Sequence, residues 1–330
     1  MNGPRVDRGA RWSAIEERGS MAPMRAMLAA LRWLPRWCLV PVARLVSLYF
    51  MLTGREARTA SRDYLSRYAR AYPDDGIAPG PLTSYRHFAA FGDAILDRLA
   101  AWAGKLRTGD IEFENRDEYQ RLVDSRRGVL LLGSHLGNIE MCRALCSLDR
   151  IVRVNALAHT RHAGKINRLL DEAGAADFRL WQVSDLDAAM ALDLRSRVER
   201  GEWVVVAADR QPLHGGRTVP ANLLGRPAAF PIGPYVLAAL LGCPVYLMFC
   251  LRVRGRHRFL VEPFVERVAW QHRNDREAVI AQLAQRYASR VEYHLRMAPL
   301  QWFNFYPFWS GEPRAGRAPA VDGPSAAPRA

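Results

Sequence analysis

From Ile111 to Val253 the chain alternates short apolar runs with helix-length stretches, and this alternation constrains the fold more than any other feature of the sequence. The runs fall at 129–132, 151–156, 178–183, 203–207 and 245–253. Helical stretches are predicted around 138–148, 163–173, 185–200 and 233–241. Strands that alternate with helices return by crossovers, which predicts an α/β fold with a mostly parallel central sheet flanked by helices. Segment 257–264 adds an antiparallel strand. Segment 275–297 reads as a long closing helix with Ile280, Leu283, Tyr287, Val291 and Leu295 on one face.

The first hundred residues have a different grammar. A helix over 55–71 follows the break at Gly54, and 82–102 places Phe88, Phe91, Ile95 and Leu99 three and four residues apart, on one helical face. Residues 1–70 carry thirteen arginines against five acids, interleaved with Trp33, Trp37, Leu39, Val40, Leu45, Leu48, Tyr49, Phe50 and Met51. That mixture suits a membrane interface with anionic headgroups, and it suits equally an amphipathic helix packed on the domain. A spanning helix is not expected, because Arg36 and Arg44 interrupt a run that would need roughly 20 apolar residues. A signal peptide is not expected either: the apolar part begins late and no clean cleavage site follows. The predicted organisation is a helical, membrane-associating region over 1–105, an α/β domain over 106–310 and a disordered tail over 311–330, which is built of Pro, Ala, Gly and Arg.

A formal charge of +14 invites a polyanion partner, yet all but two of the 47 basic residues are arginines, so part of that charge reflects coding bias. The sequence shows neither a helix-turn-helix nor a compact basic face with free aromatics, and nucleic acid is not an expected partner. Five scattered cysteines (Cys38, Cys142, Cys146, Cys243 and Cys250) make no disulfide framework and fit a reducing compartment. His159 and His162 lack an acid or cysteine to complete a ligand set, so no metal and no cofactor is expected.

The segment richest in chemistry runs Gly128-Val-Leu-Leu-Leu-Gly-Ser-His135-Leu-Gly-Asn-Ile-Glu140. An apolar strand delivers His135 into a glycine-containing turn, at the strand end where open α/β sheets gather ligands. In one continuous helix, residues five apart point about 140° away from each other. If His135 instead precedes the helix, Gly137 and Asn138 let the chain bend so that Glu140 meets the imidazole. His135 then serves as a general base, with Glu140 fixing its tautomer and stabilising the imidazolium. A helix-capping histidine followed by an ordinary first-turn acid reads the same spacing. No Gly-x-Ser-x-Gly elbow is present to supply a covalent nucleophile.

Ser134-His135-Leu-Gly-Asn-Ile-Glu140 resembles the His-four-residues-Glu signature of the lipid A late acyltransferase family, within the broad lysophospholipid acyltransferase group. The likeness extends from about Arg25 to Trp309. Asp209-Arg210-Gln211 with Leu223-Leu-Gly-Arg226-Pro-Ala-Ala-Phe-Pro231-Ile-Gly-Pro234 is similar to that family's downstream block, and Trp302-Phe-Asn-Phe-Tyr-Pro-Phe-Trp309 to its aromatic end. Asp209-Arg210 replaces the family's Asp-Gln pair and Leu-Leu-Gly its Phe-Phe-Gly, which brings the chain closer to the branch found in aryl polyene lipid clusters.

The resemblance implies an acyltransferase that takes an acyl group from an acyl carrier protein or coenzyme A thioester to a hydroxyl of a lipid-like acceptor. Its expected location is the cytoplasmic face of the bacterial inner membrane. Arg210, Arg226 and, less centrally, Arg217 are candidates to grip the donor's phosphate or polarise its carbonyl. Asp209 is expected to hold one of these arginines, and Asn138 joins Asp209, Arg210 and Arg226 in the substrate-binding set. The rival readings are a lipid esterase that uses the same pair with water, and a basic nucleic-acid-binding protein.

Overall fold

The computed structural model describes residues 36–102, 109, 111–139, 152–158, 178–182, 188–210 and 216–309. Seven strands form one sheet in the order β1-β9-β8-β2-β5-β3-β4: β1 (Ile111–Phe113), β2 (Leu130–Gly133), β3 (Val154–Ala158), β4 (Phe178–Gln182), β5 (Trp203–Ala207), β8 (Val245–Val253) and β9 (Arg256–Val265). Every neighbouring pair is parallel except β8 and β9. The predicted α/β class holds, as does the antiparallel strand at 257–264. Strands 203–207 and 245–253 fall where the sequence places them, because both are apolar runs covered on two faces. Residues 140–148 of the helix expected at 138–148, the helix expected at 163–173, Cys142, Cys146, His159, His162 and the tail at 311–330 lie outside the described residues.

Two cores sandwich the sheet. Leu130, Leu132, Val204, Val206, Leu247 and Phe249 face one layer with Leu237, Tyr287 and Trp302. The alternate residues Val129, Leu131, Val205, Met248 and Cys250 face the other, with Tyr119, Leu122 and Phe259. The strand period of two thus divides each apolar run between the layers.

The sequence reading did not resolve β1, the short helix Arg116–Asp124, or a hairpin of β6 (Thr218–Leu223) and β7 (Arg226–Pro231). Three prolines at 220, 227 and 231 obscure that hairpin, since proline usually marks an edge strand or no strand. Its turn residues Leu224 and Gly225 both have positive φ, at 53° and 71°, the geometry of a tight hairpin turn whose twist matches its strands. Leu224 tolerates this conformation while buried, with its N–H donating to Glu292 at 2.8 Å.

The N-terminal helices are α1 (Arg36–Thr53), α2 (Arg55–Ala71) and α3 (Pro81–Trp102). Leu39, Ala43, Ser47 and Met51, spaced by four, form the buried stripe of α1. The stripe lies close to α3, where a Cβ on Gly92 would stand 2.4 Å from Ser47 Oγ. The remaining faces leave Trp37, Val42, Leu45, Val46, Tyr49, Phe50 and Leu52 exposed, with Trp37 at 75%. Among the described residues no single helix is long and apolar enough to cross a membrane; α1 and α2 together pass that test only as a pair bent by 96°.

Candidate active site

The site begins with strand register. In the β2–β5 ladder Leu130 pairs with Val204 and Gly133 with Ala207. His135 lies two residues beyond Gly133, and Asp209 two beyond Ala207. Residues 74 apart in sequence are thereby brought side by side at the carboxyl edge of the sheet. Asp209 Oδ1 accepts from His135 Nδ1 at 2.7 Å, and Asp209 Oδ2 from the His135 backbone N–H at 2.8 Å.

The C-terminal segment closes over this carboxylate. Trp302 Nε1 donates to Asp209 Oδ2 at 3.2 Å and Asn304 Nδ2 to the same oxygen at 3.1 Å. A carboxylate has about four acceptor positions, and four N–H groups now address them. Burial alone pushes the Asp209 carboxyl upward. Electrostatic attraction to the His135 ring, its two hydrogen bonds and the nearby Arg210 outweigh that penalty and hold the group below its ordinary range. A completely buried, ionised aspartate therefore fixes His135 with its proton on Nδ1, which puts the basic lone pair on Nε2. The imidazole side chain keeps 23% exposure, while the Asp209 side chain keeps 1%.

Backbone geometry carries the chain past the histidine. Gly137 has φ of 76°, its N–H donates to Gln301 O, and the Asn138 N–H donates to Cys250 O at 2.8 Å. A Cβ at Gly137 would stand 2.1 Å from Cys250 O, so only glycine allows this approach. Asn138 is buried, and its Nδ2 donates to Ala94 O on α3 at 2.9 Å. The chain thus turns at Gly137, while the approach of Glu140 to the imidazole, for which a bend here was expected, lies outside the described residues.

The aromatic end is structural. The Phe303 N–H donates to His135 O at 2.8 Å, and Trp302, Phe303, Phe308 and Trp309 are buried. On its other side Trp302 O accepts from His87 Nε2 at 2.9 Å. A carbonyl only accepts, so His87 carries its proton on Nε2. Its Nδ1 therefore accepts from Ser61, which accepts in turn from Ser84. Burial lowers the His87 pKa to about 4, and the ring stays neutral. Tyr64 adds a bond to Pro299 O at 2.5 Å. Helices α2 and α3 hence hold the segment that caps Asp209.

Of the residues proposed from sequence, His135, Asp209 and Arg210 come together. Asp209 serves the histidine directly, a role the sequence reading gave to Glu140; Glu140 itself lies outside the described residues. Arg210 turns to the C-terminal segment, donating to Asn304 Oδ1 at 3.2 Å and Phe303 O at 3.4 Å. Arg226 opens β7 at the exposed hairpin tip, and no hydrogen bond or ion pair joins it to the dyad among the described residues. Arg217 pairs with Glu277 at 3.1 Å, with both side chains well exposed. Trp302 and Asn304 were not singled out as site residues, because their bonds to Asp209 span 93 and 95 residues and no local spacing signals them.

The tautomer is directly measurable. In 15N-histidine NMR at neutral pH, His135 is expected to show a protonated Nδ1 and an unprotonated Nε2, and Asp209→Asn to mix the two forms. A dominant Nε2–H form in the unaltered protein would contradict the geometry.

None of the curated proteins matches the chain. The family model described as bacterial lipid A biosynthesis acyltransferase matches residues 86–310, a span that contains His135, Asp209 and the capping segment. The chain therefore belongs to the bacterial lipid A biosynthesis acyltransferase family, and it is an acyltransferase of lipid biosynthesis.

Proposed function

We propose that the protein moves a fatty acyl group from an acyl carrier protein or coenzyme A thioester to a hydroxyl of a lipid or glycolipid acceptor. The observation that carries this reading is the buried, ionised Asp209 bonded to Nδ1 of a partly exposed His135. Nε2 takes the hydroxyl proton as the acceptor oxygen attacks the thioester carbonyl. The C–S bond breaks, and the departing thiolate receives that proton from the imidazolium. Asp209 stabilises the positive ring between these steps without taking the proton itself. Attack by the acceptor needs no acyl-enzyme. Glu140 is retained as a second catalytic carboxylate, and Arg226 and Arg210 as groups on the donor's path.

The reading extends to place. Large apolar side chains on the outer faces of α1, with Arg44 exposed among them and no acid in the helix, match a segment lying in a lipid interface. Docking at the cytoplasmic face of an inner membrane gives the site access to an amphiphilic acceptor.

The transfer assay uses membranes containing the protein and labelled lauroyl-acyl carrier protein or lauroyl-coenzyme A, followed by lipid extraction. His135→Ala is expected to lower acyl transfer at least about a thousandfold, and Asp209→Asn about a hundredfold, with circular dichroism showing both folded. Glu140→Gln is expected to lower it as well. Equal labelling by wild type and His135→Ala would defeat the assignment. For docking, Leu45→Glu combined with Tyr49→Glu should weaken sedimentation with anionic phosphatidylglycerol vesicles at least about tenfold, because two apolar side chains leave the interface. Unchanged sedimentation would show that the face has another use.

A further inference from the structure

Helix α3 reaches both halves of the dyad from one face. Ala94 O accepts from Nδ2 of Asn138, in the turn that follows His135, and His87 Nε2 donates to the carbonyl of Trp302, whose indole caps Asp209. His87 and Ala94 are close to two full helical turns apart, so the two contacts share a stripe of the helix and lie about 10 Å from each other along its axis. The contact at Ala94 uses a backbone carbonyl that other residues would also supply. The contact at His87 depends on one side chain.

Trp302 has an inner and an outer edge. On the inner edge it bridges Leu136 in antiparallel fashion, with the Gly137 N–H donating to Gln301 O and the Phe303 N–H to His135 O, both at 2.8 Å. In that pattern the carbonyl of Trp302 itself points away from the turn that carries His135. His87 is the donor it meets there, at 2.9 Å; without it the carbonyl becomes a buried acceptor left unmatched. The surroundings are otherwise aromatic, with the rings of Tyr64 and Phe305 centred 5.4 and 4.5 Å from the imidazole. A leucine would fill this space without burying two ring nitrogens, so what the histidine adds is a directed donor. Ser61 sets that direction by donating to Nδ1 at 3.0 Å, and Ser84 stands 2.9 Å from the Ser61 hydroxyl.

The indole of Trp302 donates to Asp209 Oδ2 at 3.2 Å, longer than the bonds from His135 and Asn304 to the same carboxylate. It is the bond lost first if the backbone of Trp302 shifts outward. We propose that His87 is a positioning residue for acyl transfer: it holds Trp302 where the indole orients Asp209, and Asp209 in turn holds the Nδ1–H tautomer of His135. This rests on the reading of His135 and Asp209 as the catalytic pair, and it adds a residue of α3 that touches neither of them.

Three variants of the full chain separate positioning from space-filling. His87→Gln ends in an amide N–H at the reach of Nε2, His87→Asn ends in one at the reach of Nδ1, and His87→Leu has no donor. His87→Leu and His87→Asn are expected to lower kcat for transfer from lauroyl-acyl carrier protein about tenfold per folded enzyme, with KM for the donor unchanged within about twofold, whereas His87→Gln keeps most of the activity. In 15N-histidine NMR, His135 is expected to mix its two neutral tautomers in His87→Leu and His87→Asn and to retain the Nδ1–H form in His87→Gln. His87→Asn serves where His87→Leu does not fold. Wild-type kcat in the folded His87→Leu or His87→Asn, a lowered kcat with an unchanged His135 spectrum, or a His87→Gln as slow as His87→Leu would overturn the proposal. Such a result leaves the catalytic reading standing, because that reading fails only if His135→Ala still transfers acyl groups.

Discussion

A fully buried carboxylate is tolerable only when its charge is compensated, and the architecture around Asp209 is organised by that requirement. Four N–H groups address its two oxygens, two from His135 and one each from Trp302 and Asn304. Each bond to a charged group contributes about 1.5–3 kcal/mol, enough together to keep the aspartate ionised against its desolvation. The register of β2 on β5 supplies the first pair of donors, and the C-terminal segment supplies the second. The register of two strands and the closing of the fold thus converge on one carboxylate.

This dependence reaches the N-terminal helices. Trp302 joins two hydrogen-bond systems: its indole donates to Asp209, and its carbonyl accepts from His87, which leads through Ser61 to Ser84. The helix pair that supports α1 also supports the cap over Asp209.

The sequence disclosed the fold better than the site. Strands β5 and β8 were legible as apolar runs rich in β-branched and aromatic residues, and helix Gly233–Leu241 because Pro234 and Gly242 mark its ends. The hairpin of β6 and β7 was hidden by its prolines and by a leucine in a left-handed turn position. His135 was legible as a residue at a strand end. Its bond to Asp209 was not, because the pairing depends on β2 and β5 being neighbours, and adjacency in a sheet is a property of topology that periodicity does not record. Arg210 was expected to grip an anion; its bonds to Asn304 and Phe303, 94 and 93 residues away, are ones that local spacing does not reveal.

If Asp209 acts only through His135, the two side chains form one catalytic unit, and their contributions to kcat/KM are not additive. A double-mutant cycle on acyl transfer tests this directly. The double variant His135→Ala with Asp209→Asn is expected to be no slower than His135→Ala alone. A further hundredfold loss in the double variant would show that Asp209 works independently of the imidazole and would contradict the account.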